Sequence, residues 1–256
     1  MMVSQGSATT RALVLGGTAD ASALAAALAR ARVDAVYSYG GRTRAPLAQP
    51  LPTRIGGFGG VGGLADYIRT ERITHVIDAT HPFAAQISRN AVAACAETDT
   101  PLLALERSSW TKTSGDDWIE VADVDAAVAA LPEPPATIFL AIGRQHIAPF
   151  GGRQQHAYTL RFVDPPEGPL PFPAEVVVSR GPFTLQSEVE LLRTRRITLI
   201  VARNSGGDGA RAKIDAARLL GLPVILIARP DVPDRPRVDS IAEALAWLGH
   251  RTCLGA

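Results

Sequence analysis

The residues Gly16-Gly17-Thr18 stand where a short apolar run, Ala12 to Leu15, gives way to an Ala/Leu-rich segment, Ala21 to Arg32. This order is typical of a strand, a tight turn and a helix. Glycine has no Cβ, so the backbone N–H groups of the turn and the helix N-terminus can approach an anion such as a phosphate. Because the motif is not G-x-G-x-x-G, it equally fits a plain turn that binds nothing.

The loop after the next predicted strand, Val33 to Tyr39, carries Gly40-Gly41 and then Arg42, Thr43 and Arg44. In a dinucleotide-binding domain this loop meets the adenosine ribose, where an acid favours a free 2′-hydroxyl and an arginine favours a 2′-phosphate. No acid is present here, so a bound dinucleotide would be NADP(H) rather than NAD(H). The alternative is a solvated arginine loop.

Two further loops are candidate ligand contacts, and the second of them is predicted at the same sheet edge as Gly16-Gly17. Eight residues from Gly56 to Gly63 include six glycines, which fits either a backbone lying against a flat ligand or a mobile loop. Thr80-His81-Pro82 follows the buried strand His75 to Ala79 and opens a helix that runs to about Ala96. His81 could contact a ligand, donate a proton or simply start the helix.

The second half of the chain places basic residues at predicted strand ends. Arg144, Arg180 and Lys213 are the main examples, and Arg203-Asn204-Ser205-Gly206-Gly207 follows the strand Leu199 to Ala202. Such residues suit carboxylate or phosphate groups. This half is predicted to receive an anionic substrate, although a single loop arginine is usually only solvated.

Composition excludes several classes. The 256 residues are 46% hydrophobic and 20% charged, which describes a globular protein with a substantial core. The net charge of +1 offers no global field for nucleic acid. No apolar run reaches membrane-spanning length, and Cys95 and Cys253 lack metal or disulfide spacing. A cytoplasmic location without metal, membrane or nucleic-acid partners is predicted.

The elements that position these residues occur twice. Arg69 to Thr74 (RTERIT) recurs as Arg193 to Thr198 (RTRRIT), each time between a predicted helix and a buried strand. Each half also closes with a short helix, 123–131 and 239–248. We predict an α/β protein with two similar Rossmann-like parallel-sheet domains, an NADP-binding domain at 1–132 and a substrate-binding domain at 133–256, with a cleft between them.

Taken together, these motifs resemble the precorrin-6A reductases, the NADPH-dependent enzymes of cobalamin biosynthesis. The resemblance extends from Arg11 to about Leu248. Its motifs are Leu15-Gly16-Gly17-Thr18, Ser38-Tyr39-Gly40-Gly41-Arg42, Gly56-Gly57-Phe58-Gly59-Gly60, Asp78-Ala79-Thr80-His81-Pro82-Phe83-Ala84, Ser179-Arg180-Gly181-Pro182-Phe183, and Ser205-Gly206-Gly207 with Lys213. One departure is Arg203-Asn204, where the family pattern leads us to expect a lysine.

The resemblance implies hydride transfer from NADPH to a double bond of a polycarboxylate tetrapyrrole, and it assigns roles by position. Cofactor contacts are expected at Gly16, Gly17, Thr18, Ala19, Gly40, Gly41, Arg42, Thr43, Gly57, Phe58, Gly59, Thr80, His81 and Pro82. Substrate contacts are expected at Arg144, Arg180, Gly181, Phe183, Ser205, Gly206, Gly207 and Lys213. The catalytic acid is unassigned, with His81 as the candidate. Neighbouring enzymes of the pathway are candidate partners.

Two other classes of function fit parts of the sequence. A nucleotide-sensing protein would bind the dinucleotide without turnover. A non-redox phosphate-transfer or sugar-nucleotide enzyme would need an acidic metal site, and Asp20, Asp78 and Asp208 form no recognisable ligand set. The Tyr-x-x-x-Lys signature of short-chain reductases is absent. Whether the substrate ring carries cobalt, the stereochemistry of hydride transfer and the oligomeric state stay open.

Overall fold

The computed structural model of the chain describes residues 10–41, 46–166 and 168–253, with side chains described up to residue 249. Its elements, in chain order, are β1 Arg11–Leu15, α1 Ala19–Arg30, β2 Asp34–Tyr39, β3 Thr53–Ile55, α2 Val61–Thr70, β4 His75–Asp78, α3 Ala85–Glu97, β5 Leu102–Leu105, β6 Trp118–Val121, α4 Val124–Ala129, β7 Thr137–Ala141, two 3₁₀ turns Arg144–His146 and Ala148–Gly152, β8 Ala157–Phe162, β9 Glu175–Val178, α5 Leu185–Thr194, β10 Leu199–Arg203, α6 Ala212–Leu220, β11 Val224–Ile227, β12 Arg237–Val238 and α7 Ile241–Cys253.

The strands form two parallel six-stranded sheets, which confirms the predicted α/β class. The strand order is β12-β5-β4-β1-β2-β3 in one sheet and β6-β11-β10-β7-β8-β9 in the other. The two orders correspond strand for strand, as the internal repeat predicted. The repeated hexapeptide also adopts the same conformation twice, because Arg72 and Arg196 both have a left-handed φ of 52°.

The unit boundaries differ from the predicted division after residue 132. One compact unit comprises 1–107 with 231–256, and the other comprises 108–230. The reason is strand pairing: β6 joins β11 of the second sheet, whereas β12 joins β5 of the first. The segment 118–129 therefore belongs to unit 2, and the C-terminal segment carrying β12 and α7 returns to unit 1.

The core of unit 1 lies on both faces of its sheet, because successive residues of a strand point to opposite sides. Ala12 and Val14 of β1 pack in a cluster with residues of α1 and α7. Leu13 and Leu15 pack in another with residues of α2 and α3. The sheet is thus covered on both faces, and the loops at the carboxyl ends of its strands carry predicted cofactor residues.

The start of α3 is also later than predicted. The helix begins at Ala85, with Ala84 as its N-terminal flanking residue, so Pro82 does not lie in the first helical turn. Residues 80–84 instead form a connection whose conformation is set by side-chain hydrogen bonds, as described below.

Candidate functional site

A cavity of about 360 Å³ lies in unit 1 at the carboxyl ends of β1, β2, β3 and β4. In open parallel sheets this edge is where ligands bind. The cavity gathers nine of the predicted cofactor residues, namely Gly16, Gly17, Gly40, Gly41, Gly57, Phe58, Gly59, Thr80 and His81. Thr18, Ala19 and Pro82 are not part of its lining. Arg42 and Thr43 lie outside the described residues.

The Gly16-Gly17 turn is shaped by Tyr37 of β2. A Cβ on Gly16 would lie 2.2 Å from Cζ of Tyr37, so only glycine fits there. The Tyr37 hydroxyl accepts a hydrogen bond from the backbone N–H of Gly17 at 2.9 Å, and burial raises the pKa of this phenol. Gly17 itself has a φ of 116°, which favours glycine. The turn is thus built to keep its backbone close to whatever occupies the cavity.

The hydroxyl of Thr18 serves the fold at the same place. It accepts a hydrogen bond from the N–H of Ala21 at 3.0 Å, which caps α1, and it donates to the carbonyl of Ala79 at 2.8 Å. The first bond satisfies one of the free N–H groups of the helix N-terminus. The second joins the end of β4 to the start of α1. Because these two bonds engage the hydroxyl, Thr18 would contact an anion through its backbone N–H.

Arg54, which was not among the residues predicted for the site, organises the glycine loop. Its guanidinium donates to the Ser38 hydroxyl at 2.9 Å and to the carbonyls of Gly56 and Gly57 at 2.8 Å and 3.1 Å. It also lies 3.8 Å from the ring centroid of Phe58, a cation–π distance. The start of the loop is consequently held against β2. An arginine just before Gly-Gly-Phe was the available signal.

Asp78 holds the loop after β4. This carboxylate is 3% exposed, and its Oδ1 accepts hydrogen bonds from the backbone N–H and the hydroxyl of Thr80 at 3.1 Å and 2.6 Å. Its Oδ2 lies 3.5 Å from the guanidinium of Arg235, which also pairs with Glu106 at 3.0 Å. Arg235 belongs to the C-terminal segment that returns to unit 1. It thereby supplies the cation beside the loop at 80–84, which lines the cavity.

His81 is half-buried in this loop. Its Nδ1 accepts a hydrogen bond from the N–H of Phe83 at 3.2 Å. An accepting Nδ1 assigns the proton of the neutral ring to Nε2. His81 is therefore placed in the cavity lining in the form that can donate from Nε2.

In unit 2, the Ser205-Gly206-Gly207 loop is held in place by one aromatic neighbour, Trp110, and one basic neighbour, Arg229. The Asn204 amide exchanges hydrogen bonds with the backbone of Trp110 at 2.8 Å and 2.9 Å, and the Trp110 indole donates to the carbonyl of Gly207 at 2.8 Å. Arg229 donates to the carbonyls of Asn204 and Ser205. Gly206 has a φ of 68°, and a Cβ there would lie 2.1 Å from the Ser108 carbonyl oxygen.

The predicted basic substrate residues differ in exposure. Arg144 and Arg180 are exposed, and Arg180 lies 3.4 Å from Asp164. Lys213 is only 8% exposed; its ammonium donates to the carbonyl of Ala210 and lies 5.2 Å from the ring centroid of Trp110. Trp110 thus links Lys213 to the loop at 205–207.

The remaining substrate candidates are Gly181 and Phe183, and Arg203 is the residue that departs from the family pattern. Gly181 is exposed, and the half-buried ring of Phe183 packs 4.2 Å from the Arg161 guanidinium. Arg203 stands where a lysine was expected, and its guanidinium would lie 3.6 Å from a Cβ on Gly143.

Arg161 and Glu188 form a buried ion pair in unit 2 that sequence reasoning missed. The two nitrogen–oxygen distances are 2.8 Å and 3.1 Å, and the side chains are 11% and 1% exposed. Burial lowers the pKa of the nearby Lys213 to about 8; Arg161 and Arg203 act in the same direction, and the Glu188 carboxylate opposes them. Glu188 is therefore the anion that offsets a cluster of cations.

The lowered pKa of Lys213 predicts a pH-dependent stability. A lysine with a pKa of 10.5 when unfolded and about 8 when folded binds its proton less well in the native state. The free energy of unfolding, relative to Lys213→Met, should thus rise with pH between about 8 and 10.5, by more than about 1 kcal/mol. Denaturant titrations of both proteins at several pH values measure this difference.

Comparing the wild type with Lys213→Met cancels an opposing contribution from Cys95, which both proteins contain. Burial raises the pKa of this thiol to about 12, so its own contribution to stability falls with pH in both proteins. A difference between the wild type and Lys213→Met that stays constant with pH would contradict the lowered lysine pKa.

Within residues 10–41, 46–166 and 168–249, no group of three or more His, Cys, Asp or Glu side chains is arranged to hold a metal ion. The described helices include none with the length and apolar character needed to cross a membrane.

Unit 1 combines a parallel sheet, a glycine turn that leads into a capped helix, and a cavity at the carboxyl edge. These features define an α/β parallel-sheet unit with a ligand-sized cavity at its carboxyl edge, and the second sheet repeats its topology. A protein-family profile described as Precorrin-6x reductase CbiJ/CobK matches residues 11–249. The chain belongs to this family, and it is an oxidoreductase that reduces a corrin-precursor tetrapyrrole in cobalamin biosynthesis and depends on a nicotinamide cofactor.

Individual relatives agree with the profile. The chain is 61% identical to the precorrin-6A reductase of Rhodobacter capsulatus, over 93% of this chain and 96% of the relative. It is 29% identical to a cobalt-precorrin-6A reductase of Priestia megaterium, over 94% and 98%. A solved structure of CobK precorrin-6A reductase, 61% identical, superposes with a TM-score of 0.91 over 94% of this chain and 96% of that one.

Proposed function

We propose that the chain transfers a hydride from NADPH to a double bond of precorrin-6A, with the dinucleotide in the unit 1 cavity. The observation that carries this proposal is the cavity lining, which unites the Gly16-Gly17 turn, the end of β2 and the Thr80-His81 loop. The fit is supported by Gly16, since a Cβ there would collide with Tyr37 and the turn leaves its backbone open to a phosphate.

The choice of NADPH over NADH rests on the end of β2. Gly40 and Gly41 line the cavity, and the sequence continues with Arg42 and Thr43. We assign the 2′-phosphate to Arg42 and Thr43, because a guanidinium and a hydroxyl suit a phosphate and no carboxylate is present in this stretch to repel it.

The reaction adds a hydride to one carbon of the double bond and a proton to the other. A bound dinucleotide would supply the hydride. The protein's task is then to hold the nicotinamide ring and the tetrapyrrole in the orientation that hydride transfer requires. Gly57, Phe58 and Gly59 with Thr80, His81 and Pro82 are proposed to flank the nicotinamide end. His81 is the candidate we retain for proton delivery; it would give the proton from Nε2 as an imidazolium, which requires Nδ1 to exchange its bond with the Phe83 N–H for a proton.

Unit 2 is proposed to receive the substrate carboxylates. Arg144 and Arg180 are exposed guanidinium groups that can pair directly with a carboxylate. Gly181, Phe183 and the loop at 205–207 complete the proposed set. Lys213 is buried, and its ammonium is bound to the carbonyl of Ala210. While that bond is intact, we propose that Lys213 attracts a substrate carboxylate only through its charge, from the Trp110 side of this loop.

We further propose a cobalt-free ring as substrate. The relatives named precorrin-6A reductase share 43–61% identity with the chain, whereas those named cobalt-precorrin-6A reductase share 24–30%. A cytoplasmic location is proposed from the isolated cysteines, and neighbouring enzymes of the pathway are proposed partners.

The cofactor assignment is tested by titrating the protein with NADPH and with NADH and following dihydronicotinamide fluorescence. We expect a clear preference for NADPH and, for Arg42→Ala, roughly 10- to 100-fold weaker NADPH binding with NADH binding unchanged, the loss of one charged hydrogen-bonding group. Arg193→Ala, an exposed change on α5 in unit 2, is the control.

Equal NADPH affinity in Arg42→Ala and the wild type would overturn the phosphate assignment. Tight NADPH binding without any turnover of precorrin-6A would instead indicate a nucleotide-sensing protein.

A further inference from the structure

Two side-chain amides on the first turns of α3 line the unit 1 cavity, and the proposed function gives them no role. Gln86 and Asn90 are four residues apart, which places them on the same face of the helix. The Gln86 Nε2 donates to the Asn90 Oδ1 at 2.9 Å. Both residues belong to the cavity lining; Gln86 is exposed and Asn90 is half-buried.

The bond between these amides leaves a donor and an acceptor for a ligand. Within the described part of the chain, the Gln86 Oε1 and the Asn90 Nδ2 have no other hydrogen-bond partner. If both amides were turned over, the roles would exchange, and one carbonyl oxygen and one NH₂ group would still remain. The pair therefore presents an acceptor beside a donor in either orientation.

The neighbouring parts of the cavity are apolar. Phe58 and Ile87 are partly buried residues of the same hydrophobic cluster, and Ala84 and Pro46 also line the cavity. Apolar walls next to a polar pair suit a flat ring whose faces contact carbon and whose edge carries hydrogen-bonding groups.

We propose that Gln86 and Asn90 recognise the edge of a heteroaromatic ring of the dinucleotide, at a place where an amino donor stands beside an acceptor. This proposal rests on the proposed function. Two parts of NADPH share this chemistry, the adenine base with its amino group beside a ring nitrogen and the carboxamide of the nicotinamide. In DNA recognition a single asparagine or glutamine amide offers adenine the same combination of one acceptor and one donor. Gly40 and Gly41, at the ribose end of β2, line the same cavity.

The test compares oxidised dinucleotides by isothermal titration calorimetry. The three ligands are NADP⁺, its hypoxanthine analogue, in which a carbonyl replaces the adenine amino group, and its 3-acetylpyridine analogue, in which a methyl replaces the carboxamide amino group. For the wild type we expect one of the two analogues to bind roughly 10-fold more weakly than NADP⁺, because one hydrogen bond to the amide pair is lost.

The double variant Gln86→Ala/Asn90→Ala should bind NADP⁺ about 10-fold more weakly than the wild type and should no longer discriminate against that analogue. Alanine is the best helix former, so α3 is expected to stay folded. Glu97→Ala, at the end of α3 and outside the cavity lining, is the matched control and should retain wild-type discrimination.

Each outcome decides the proposal. Discrimination against the hypoxanthine analogue that disappears in the double variant assigns the pair to adenine, and the same result with the acetylpyridine analogue assigns it to the carboxamide. Equal binding of all three ligands by the wild type, or discrimination that survives in the double variant, overturns the proposal while the proposed function stands. A wild type that binds neither NADP⁺ nor NADPH overturns both.

Discussion

Gly16→Ala is expected to weaken NADPH binding by roughly 100-fold and to lower the free energy of unfolding by about 2 kcal/mol. The added Cβ would lie 2.2 Å from Cζ and 2.3 Å from Oη of Tyr37. Tyr37 has no exposed surface, and its hydroxyl is bound to the N–H of Gly17, so its ring cannot move aside without loss. The turn must therefore shift into the cavity. Fluorescence titration and denaturant unfolding measure the two effects.

The control for this substitution is Gly62→Ala in α2. A Cβ on Gly62 would meet no atom within 4 Å, and the residue is not part of the cavity lining. Alanine in a helix should stabilise the protein by about 0.5–1 kcal/mol and leave NADPH binding unchanged. If Gly16→Ala bound NADPH as tightly as Gly62→Ala does, the Gly16-Gly17 turn would not be the phosphate contact.

The Gly16 site shows what a sequence can predict about this fold. Strand, glycine turn and helix are determined by residues within about twenty positions of one another, and the apolar periodicity marks them directly. The repeat around Arg72 and Arg196 predicted the same order of helices and strands for the second sheet. Both the parallel α/β class and the gathering of nine cofactor candidates at one cavity followed from such local patterns.

The boundaries of the two units could not be predicted from local sequence patterns. β12 has two residues and β6 has four, too few for a periodic signal, and each pairs with a strand that is distant in the sequence. Because the closing helices occur in the same order in both halves, the sequence assigned each to the half that precedes it. Only the pairing of β6 with β11 and of β12 with β5 reveals the exchange.

Side-chain partners were the other unpredictable part of the site. Arg54 and Asp78 stand in stretches that the sequence marks only as strand ends, and their roles depend on distances to Gly56 and Thr80. Lys213 was selected for its charge, but its burial follows from the packing of α6 against Trp110, which is about a hundred residues earlier in the chain.

Glu188→Gln is expected to lower the free energy of unfolding by about 3–5 kcal/mol, as the loss of one member of a buried ion pair does. Glu188 is 1% exposed and is the anion beside Arg161 and Lys213. The amide keeps the shape of the side chain but leaves those two cations without a counter-charge. Denaturant unfolding at pH 7 measures the loss, and the pKa of Lys213 should fall further below 8 because Glu188 raises it.

The double variant Arg161→Met/Glu188→Gln separates charge from packing in this result. If the unpaired guanidinium causes the instability, removing it should restore a large part of the lost free energy, so the two changes will be strongly non-additive. Additive losses would mean that Arg161 contributes mainly through its contact with the Phe183 ring at 4.2 Å. Arg161 contacts Phe183, one of the proposed substrate residues. The same pair of variants should therefore also change the KM for the tetrapyrrole, if the charge balance of unit 2 affects substrate binding, while NADPH affinity stays unchanged.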